Sequence, residues 1–171
     1  MKDKQVEELI EQLNQLIEDE EPDVDYILNW IFNPHKEIIE TVFLSSLDFP
    51  EFKSKKDIGN YLKKLFKELG TIQIESDKLI INLYPKDADR ETMKRRILDK
   101  HNKAIVVAFE QIIKTSIYKG FREVDERHKY NQYIYTNQVS LDNETFDVEI
   151  YIDIAEDINQ NRYAGSKAIK K

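Results

Sequence analysis

Two of the three histidines in the chain lie among basic residues. His101 lies in Asp99-Lys100-His101-Asn102-Lys103, and His128 lies in Glu126-Arg127-His128-Lys129-Tyr130. An isolated exposed histidine is usually only solvated, but two in basic clusters, on elements able to pack together, indicate a functional site. The third, His35, follows Pro34 at a predicted helix start, and we interpret it as a surface or capping residue.

A run of basic residues surrounds His101. Residues 90–103 carry a net charge of +4 within an acidic protein, because six basic residues outnumber Glu91 and Asp99. The six are Arg90, Lys94, Arg95, Arg96, Lys100 and Lys103. Such a helix face is typical of a phosphate-binding surface, which Arg127 and Lys129 would extend. The alternative is a solvated face stabilised by charge pairs four residues apart.

Tyrosines follow the second basic cluster. Tyr130, Tyr133 and Tyr135 would supply the stacking surfaces that single-stranded RNA needs. Tyr133 and Tyr135 share one face of a predicted strand, so packing against a helix is the alternative. The carboxylates on the next strand are interpreted as an exposed charged surface that discourages edge pairing. We therefore predict no metal site and no cofactor.

Changes in apolar periodicity indicate the elements that carry these residues. After Gly70 the period changes to two, which predicts a hairpin of residues 71–75 and 78–84. A helical period predicts one long helix over residues 89–118. Alternation then predicts a long hairpin of residues 133–141 and 145–154, joined by an Asp142-Asn143 turn.

The first 70 residues show helical periods throughout. Their apolar stripes predict four helices, near residues 6–17, 24–31, 34–47 and 55–69. This part holds 16 acidic and 9 basic residues, whereas residues 71–171 hold 17 of each. We therefore predict an acidic helical domain, residues 1–70, and an α+β domain, residues 71–171. The predicted fold class is α+β, with a helical N-terminal half followed by a β-hairpin, one long helix and a long antiparallel β-hairpin.

Several function classes are excluded by composition. The absence of cysteine excludes disulfides, thiolate metal sites and cysteine nucleophiles. The four glycines form no phosphate-binding loop, and no zinc-protease, calcium-loop or hydrolase-elbow motif is present. No apolar run is long enough for a membrane span, and the N-terminus lacks the pattern of a secretory signal. The expected location is the cytoplasm.

The order of motifs from about residue 80 to 169 resembles a known group. It is similar to the phage- and mobile-element-associated domains of the barnase/EndoU/colicin E5–D/RelE-like group, particularly the large-polyvalent-protein-associated type. The matching features are a helix with His101, a basic loop ending His128-Lys129-Tyr130, the strand Tyr133-Ile134-Tyr135, the hairpin segment 139–150 and Tyr163 near the end. The helical first half lies outside the resemblance.

The resemblance implies a metal-independent ribonuclease or an inactive relative of one. Such a reaction needs a base for the 2′-hydroxyl, an acid for the leaving 5′-oxygen and cations for the phosphorane. We assign the two proton transfers to His101 and His128. Tyr163 and Tyr135 would orient the phosphate or stack a base. RNA would be bound through Arg95, Arg96, Lys103, Arg127 and Lys129.

Two functions of different classes follow. The first is a phage or mobile-element protein with a ribonuclease-like fold that contacts RNA through a basic helix face. The second is a non-catalytic acidic protein that inhibits a host or defence factor, with a host or phage protein bound by the acidic half. The oligomeric state is not predicted.

Overall fold

The computed structural model describes residues 2–18, 39–94, 96–127, 129–155 and 160–169. Contacts divide the chain into two compact units, Met1–Glu37 and Ile38–Lys171. The described part of the first unit is helix α1, Lys2–Glu18, where the apolar stripe predicted a helix. The helix predicted at residues 24–31 lies outside the described residues.

The described part of the second unit contains four α-helices. They are α2, Lys55–Leu69; α3, Pro85–Thr92; α4, Lys100–Val107; and α5, Phe109–Lys114. Since α2 belongs to this unit, it lies on the carboxyl side of the division between the two units. The domain boundary after residue 70 stays a prediction.

Seven strands form one mixed sheet in this unit. They are β1, Val42–Leu44; β2, Thr71–Gln73; β3, Ile80–Asn82; β4, Ile117–Arg122; β5, Gln132–Leu141; β6, Glu144–Asp153; and β7, Arg162–Ile169. The order is β1-β5-β6-β7-β3-β2, with β4 also paired to β5. The β1–β5 and β3–β7 pairs are parallel and the others are antiparallel.

The predicted arrangement of these elements is wrong, although the chain is α+β. The predicted hairpin of β5 and β6 forms, with Asp142 and Asn143 at positive φ in its turn. It is the centre of a larger mixed sheet, however, and not a separate hairpin. The predicted first hairpin is joined to that sheet through β3 and β7. These pairings unite segments far apart in sequence, which local periodicity does not report.

The first half is not wholly helical. The segment predicted as a helix over residues 34–47 contains β1, in which Val42 pairs with Val139 and Leu44 with Leu141. A 3₁₀ turn, Ser46–Asp48, follows, and the Asp142 side chain accepts a hydrogen bond from its first amide at 3.0 Å. The backbone of β1 pairs with β5, and its β-branched and aromatic residues suit a strand. This tertiary pairing overrides the helical pattern of the sequence.

The predicted long helix is divided into α3, α4 and α5. Its first break follows Thr92, where Lys94 turns towards Ser166 of β7. Its end is set by Asn137, which is fully buried and donates to the Ile112 carbonyl at 2.8 Å. The chain then enters β4. One side chain of the sheet, Asn137, thus binds a backbone carbonyl near the end of the last helix.

Local signals did set the limits of α2. Ser54 and Asp57, three residues apart, form a capping box at its start. Gly70 ends it at φ 66°, and its amide donates to the Phe66 carbonyl at 2.9 Å. The buried face of α2 brings Phe66 against Phe109 of α5 and Tyr163 of β7, with ring centroids 5.0 and 5.8 Å away.

Candidate functional site

Helix α3 buries two carboxylates against β7. Asp87 and Glu91 are 2% and 5% exposed, and they lie four residues apart on one helix face. Burying a carboxylate is costly unless hydrogen bonds and a cation compensate. Each of the two meets a cation that lines a surface cleft, Arg162 for Asp87 and Lys94 for Glu91.

Glu91 is the centre of a complete hydrogen-bond network. Its Oε1 accepts from the Tyr163 hydroxyl at 2.8 Å and from the Ser166 amide at 3.2 Å. Its Oε2 pairs with Lys94, whose ammonium also donates to the Ser166 hydroxyl at 3.1 Å. Gly165 permits this approach, because a Cβ there would lie 3.3 Å from the Glu91 carboxylate. The network therefore holds Lys94 against β7.

Lys94 also lines a cleft of about 430 Å³. We define the basic cleft by Lys94, Arg96, His101 and Lys167, which share it with five other residues. Those others are Asp99, Asn102, Tyr151, Ser166 and Ala168. Three cations against one carboxylate make this surface suited to an anion, and the Ser166 and Asn102 side chains add hydrogen-bonding groups.

His101 is held at the wall of the basic cleft. It is 4% exposed, and its Nε2 lies 3.1 Å from a carboxylate oxygen of Glu144 at the start of β6. The Phe146 ring packs edge-on against the imidazole at 4.7 Å. Lys100, and then His101, hydrogen-bond to Glu144 and lower the pKa of that carboxyl. A carboxylate on one ring nitrogen fixes the orientation of an imidazole, which is a common arrangement for a proton-transfer residue.

The structure brings some of the predicted residues together in this cleft. Arg96 and His101 both line it. Tyr163 is not a lining residue, but its hydroxyl donates to Glu91, which pairs with Lys94. Tyr163 is 1% exposed, and its burial, followed by the charge of Glu91, raises its pKa well above the ordinary range. It is a neutral hydrogen-bond donor in the core.

Other predicted residues lie elsewhere. Lys103 is on α4 but outside the residues that line the cleft. Tyr135 is buried and donates to Asp77, and burial, more than Asp77, raises its pKa. Arg127 and Lys129 are exposed between β4 and β5. His128 and Arg95 lie outside the described residues.

Sequence reasoning missed the residues that support the cleft. In the sequence, Glu91 is only a charge that opposes the basic run, and Ser166 and Lys167 belong to no recognisable motif. A usable signal was present, since Asp87 and Glu91 stand four residues apart on a short helix that follows a strand. The charges alone did not show that this face would be buried.

A second cleft of about 430 Å³ lies at the other end of the contact between α3 and β7. We define the tyrosine cleft by Tyr84, Lys86, Tyr130 and Arg162. It is also lined by Asp153, Ile154, Ala155 and Gln160. The Arg162 guanidinium lies 5.3 Å from the centre of the Tyr84 ring and is paired with Asp87.

Within the described ranges, no three His, Asp or Glu side chains are grouped as metal ligands would be. Nor does any described helix combine the length and apolar character needed to cross a membrane. The carboxylates of β6 were expected to form an exposed surface, but Asp153 is buried and accepts from Gln132 at 2.8 Å, and Glu149 pairs with Lys119 at 3.2 Å.

Comparison of the chain with protein-family models, with curated proteins and with solved structures finds no match. The geometry of the clefts is therefore the basis for the functional argument.

Proposed function

We propose that this chain is a phage or mobile-element protein with a metal-independent ribonuclease-like fold that binds RNA at the basic cleft. The observation that carries the proposal is the placement of His101 beside Lys94, Arg96 and Lys167 in one cleft. Cations supply the phosphate affinity, and the oriented imidazole supplies a group able to accept or donate a proton.

Each part of the cleft has a chemical role in the proposal. The 2′-oxygen of RNA attacks the adjacent phosphorus as a base removes its proton. The bond to the 5′-oxygen breaks as an acid protonates that oxygen, which leaves a 2′,3′-cyclic phosphate. His101 performs one proton transfer, while Lys94 and Arg96 stabilise the charge on the phosphorane oxygens. The second transfer is assigned to His128, which lies outside the described residues.

Glu144 and Glu91 are positioning residues in this proposal. Glu144 holds the Nε2 side of His101 and leaves Nδ1 as the nitrogen not engaged by that carboxylate. Glu91 fixes the ammonium of Lys94 beside Ser166. Because the attacking group is a 2′-hydroxyl, the substrate of cleavage is RNA. A cytoplasmic location would give the protein access to RNA.

The test of binding uses two exposed cations of the cleft. We expect the double variant Arg96→Ala, Lys167→Ala to reduce the slope of log K against log salt by about 1.4 for a single-stranded RNA, because about two phosphate contacts are lost and each contributes about 0.7 on a single strand. Lys64→Ala is the matched control, since Lys64 is exposed on α2 away from the cleft. An unchanged slope in the double variant would reject RNA binding at the basic cleft.

The test of cleavage compares the wild type with His101→Ala and His128→Ala in excess EDTA. We expect cleavage by the wild type to persist and to fall by about 10²-fold or more in each variant. Glu144→Gln should reduce the rate less, because it keeps a hydrogen-bond acceptor on His101. A folded wild type that binds RNA but does not cleave it would support an inactive relative.

A second candidate is the non-catalytic acidic protein that inhibits a host or defence factor. The observation that favours it is the exposure of Phe43 and Leu47, 78% and 93%, in the acidic part of the sequence. Exposed apolar side chains of this size are typical of protein contacts. A folded wild type that neither binds nor cleaves RNA would overturn the first proposal. The second would then predict that Phe43→Ser and Leu47→Ser abolish inhibition of the target.

A further inference from the structure

The tyrosine cleft combines exposed aromatic rings with cations. Tyr84 and Tyr130 are 40% and 45% exposed although each carries a large apolar ring. Lys86 lies 5.7 Å from the centre of the Tyr84 ring, and Lys129 lies 5.8 Å from that of Tyr130. Rings and cations in one cleft are the groups with which proteins recognise unpaired nucleotides.

Arg162 and Lys86 line this cleft and Lys129 lies beside its Tyr130 ring, and these cations differ in how firmly they are held. Arg162 is three-quarters buried and is anchored by the buried Asp87 carboxylate, so its guanidinium forms a fixed wall beside Tyr84. Lys86 and Lys129 are exposed and have flexible stems. A flat ligand can therefore displace the lysines from the rings, after which their ammonium groups remain available for a phosphate.

A nucleobase should bind such rings more strongly than the lysines do. An exposed lysine over a ring is held weakly, whereas base–aromatic stacking is a main source of affinity for single strands. The Arg162 guanidinium plane is a further stacking surface of the kind that RNA-binding proteins use. Asp153, 8% exposed, also lines the cleft and would oppose a phosphate placed deep inside it. The base therefore enters the cleft and the phosphate stays at its lysine-bearing rim.

We propose that the tyrosine cleft binds the base of an unpaired nucleotide by stacking it on Tyr84 and Tyr130, with the phosphate at Lys86 or Lys129. The choice of RNA as the natural ligand rests on the proposed function. Binding of a free nucleotide does not rest on it.

The position of the cleft makes it a subsite for the same strand of RNA. Arg162 in this cleft and Ser166 in the basic cleft are four residues apart on β7, which is about 13 Å along a strand. Asp87 and Glu91, which anchor the cations of the two clefts, are adjacent on one face of α3. A short single strand can therefore place a base in the tyrosine cleft and a phosphate in the basic cleft.

The experiment measures binding of adenosine 5′-monophosphate, with ribose 5-phosphate as the ligand that lacks a base. We expect the nucleotide to bind about tenfold or more tightly than ribose 5-phosphate. Tyr84→Leu and Tyr130→Leu should each weaken nucleotide binding about tenfold, because they remove a stacking surface and keep apolar bulk. Tyr130→Phe, which keeps the ring, should bind as the wild type does.

The controls separate this inference from the proposed function. Tyr118→Leu alters an equally exposed tyrosine on β4, outside the cleft, and should leave nucleotide binding unchanged. The Arg96→Ala, Lys167→Ala variant should also keep it, although its RNA binding is reduced. Equal binding of nucleotide and ribose 5-phosphate, or full binding by both leucine variants, would overturn the base pocket. Nucleotide binding without RNA binding would retain the pocket and reject the proposed function.

Discussion

Asp87 and Glu91 lie one turn apart on α3 and are equally buried, but their surroundings differ. Both oxygens of Glu91 have partners, which are Tyr163, Ser166 and Lys94. Asp87 directs Oδ1 to Arg162, and its Oδ2 has no hydrogen-bond partner among the described residues. The buried Nε of Arg162 likewise has no hydrogen-bond partner among the described residues.

One buried network is therefore fully paired, whereas the other contains buried atoms without a partner among the described residues. A buried polar network stabilises a fold when all its members are paired, because each unpaired group loses its hydration without compensation. The Glu91 network meets this condition and includes a tyrosine of the aromatic core. The Asp87–Arg162 pair does not, and it borders the cleft where we place a nucleobase.

The largest expected effect is the loss of Glu91. Glu91→Ala should lower the free energy of unfolding by about 3–5 kcal/mol, because Tyr163, Ser166 and the Lys94 ammonium lose their common partner. Asp87→Ala should lower it by only about 1–2 kcal/mol, since Asp87 has fewer hydrogen-bond partners to lose than Glu91 and the Arg162 side chain remains 23% exposed. Urea denaturation of both variants measures the difference.

The surface pair of Glu110 and Lys114 provides the control for these variants. Both side chains are more than 40% exposed, so Glu110→Ala should change the free energy of unfolding by less than about 0.5 kcal/mol. Equal losses for Asp87→Ala and Glu91→Ala would show that the completeness of the network has no consequence for stability.

Alkaline pH should distinguish the buried tyrosines from the exposed ones. The pKa values of Tyr163 and Tyr135 are raised, mainly by burial, so the folded state keeps their protons at a pH where the unfolded state has lost them. Their stabilisation is fully present below the ordinary tyrosine pKa and is lost as the pH rises from there towards the folded-state pKa. Above about pH 10, the free energy of unfolding should fall by about 1.4 kcal/mol per pH unit for each buried tyrosine.

The measurement is urea denaturation at several alkaline pH values. Tyr163→Phe should reduce this pH dependence by one proton, whereas Tyr118→Phe, at an exposed position, should not. The same dependence in the wild type and in Tyr163→Phe would show that Tyr163 ionises freely in the folded state.

A smaller effect is expected from Tyr163→Phe near neutral pH. The ring remains against Phe66 and Phe109, and only the hydrogen bond to Glu91 is lost, so the cost should be about 1–2 kcal/mol. RNA cleavage by the folded variant should stay within about threefold of the wild type, because the hydroxyl supports the cleft from the core. A loss of cleavage comparable to that of His101→Ala would instead assign Tyr163 to the reaction.

The smallest expected loss of stability is that of the exposed hydrogen bonds at the start of α2. Ser54→Ala removes one half of the exposed capping box of α2 and should cost about 1 kcal/mol. Thermal or urea unfolding measures it beside Glu91→Ala. A cost equal to that of Glu91→Ala would contradict the view that burial makes the Glu91 network more valuable.

Local chemistry made parts of the fold predictable. The capping box at Ser54, the helix end at Gly70 and the Asp142-Asn143 turn each depend on residues within one turn of the backbone. The basic run and its histidine also led to three residues of the basic cleft, Lys94, Arg96 and His101. The helix predicted over β1 was wrong, because its apolar spacing suits a helix while its strand partner is almost 100 residues away.

The supports of the site were beyond such reasoning. A charge pattern gives the sign of a surface, but the burial of Asp87 and Glu91 depends on β7, which follows them by more than 70 residues. Tyr163 and Tyr135 had the right chemistry for stacking on RNA, yet both rings are in the core. Burial is decided by the packing of distant elements, so a side chain's type does not reveal whether it faces a ligand.

The sequence by itself determined the α+β character, the acidic first part, the basic run around His101 and the ends of α2. Each of these depends on composition or on neighbours along the chain. The tertiary structure decided the mixed sheet, the division of the predicted long helix and the pairing of Glu91 with Tyr163, Ser166 and Lys94. These depend on hydrogen bonds between distant segments, which form only where the whole fold gives buried polar groups a partner.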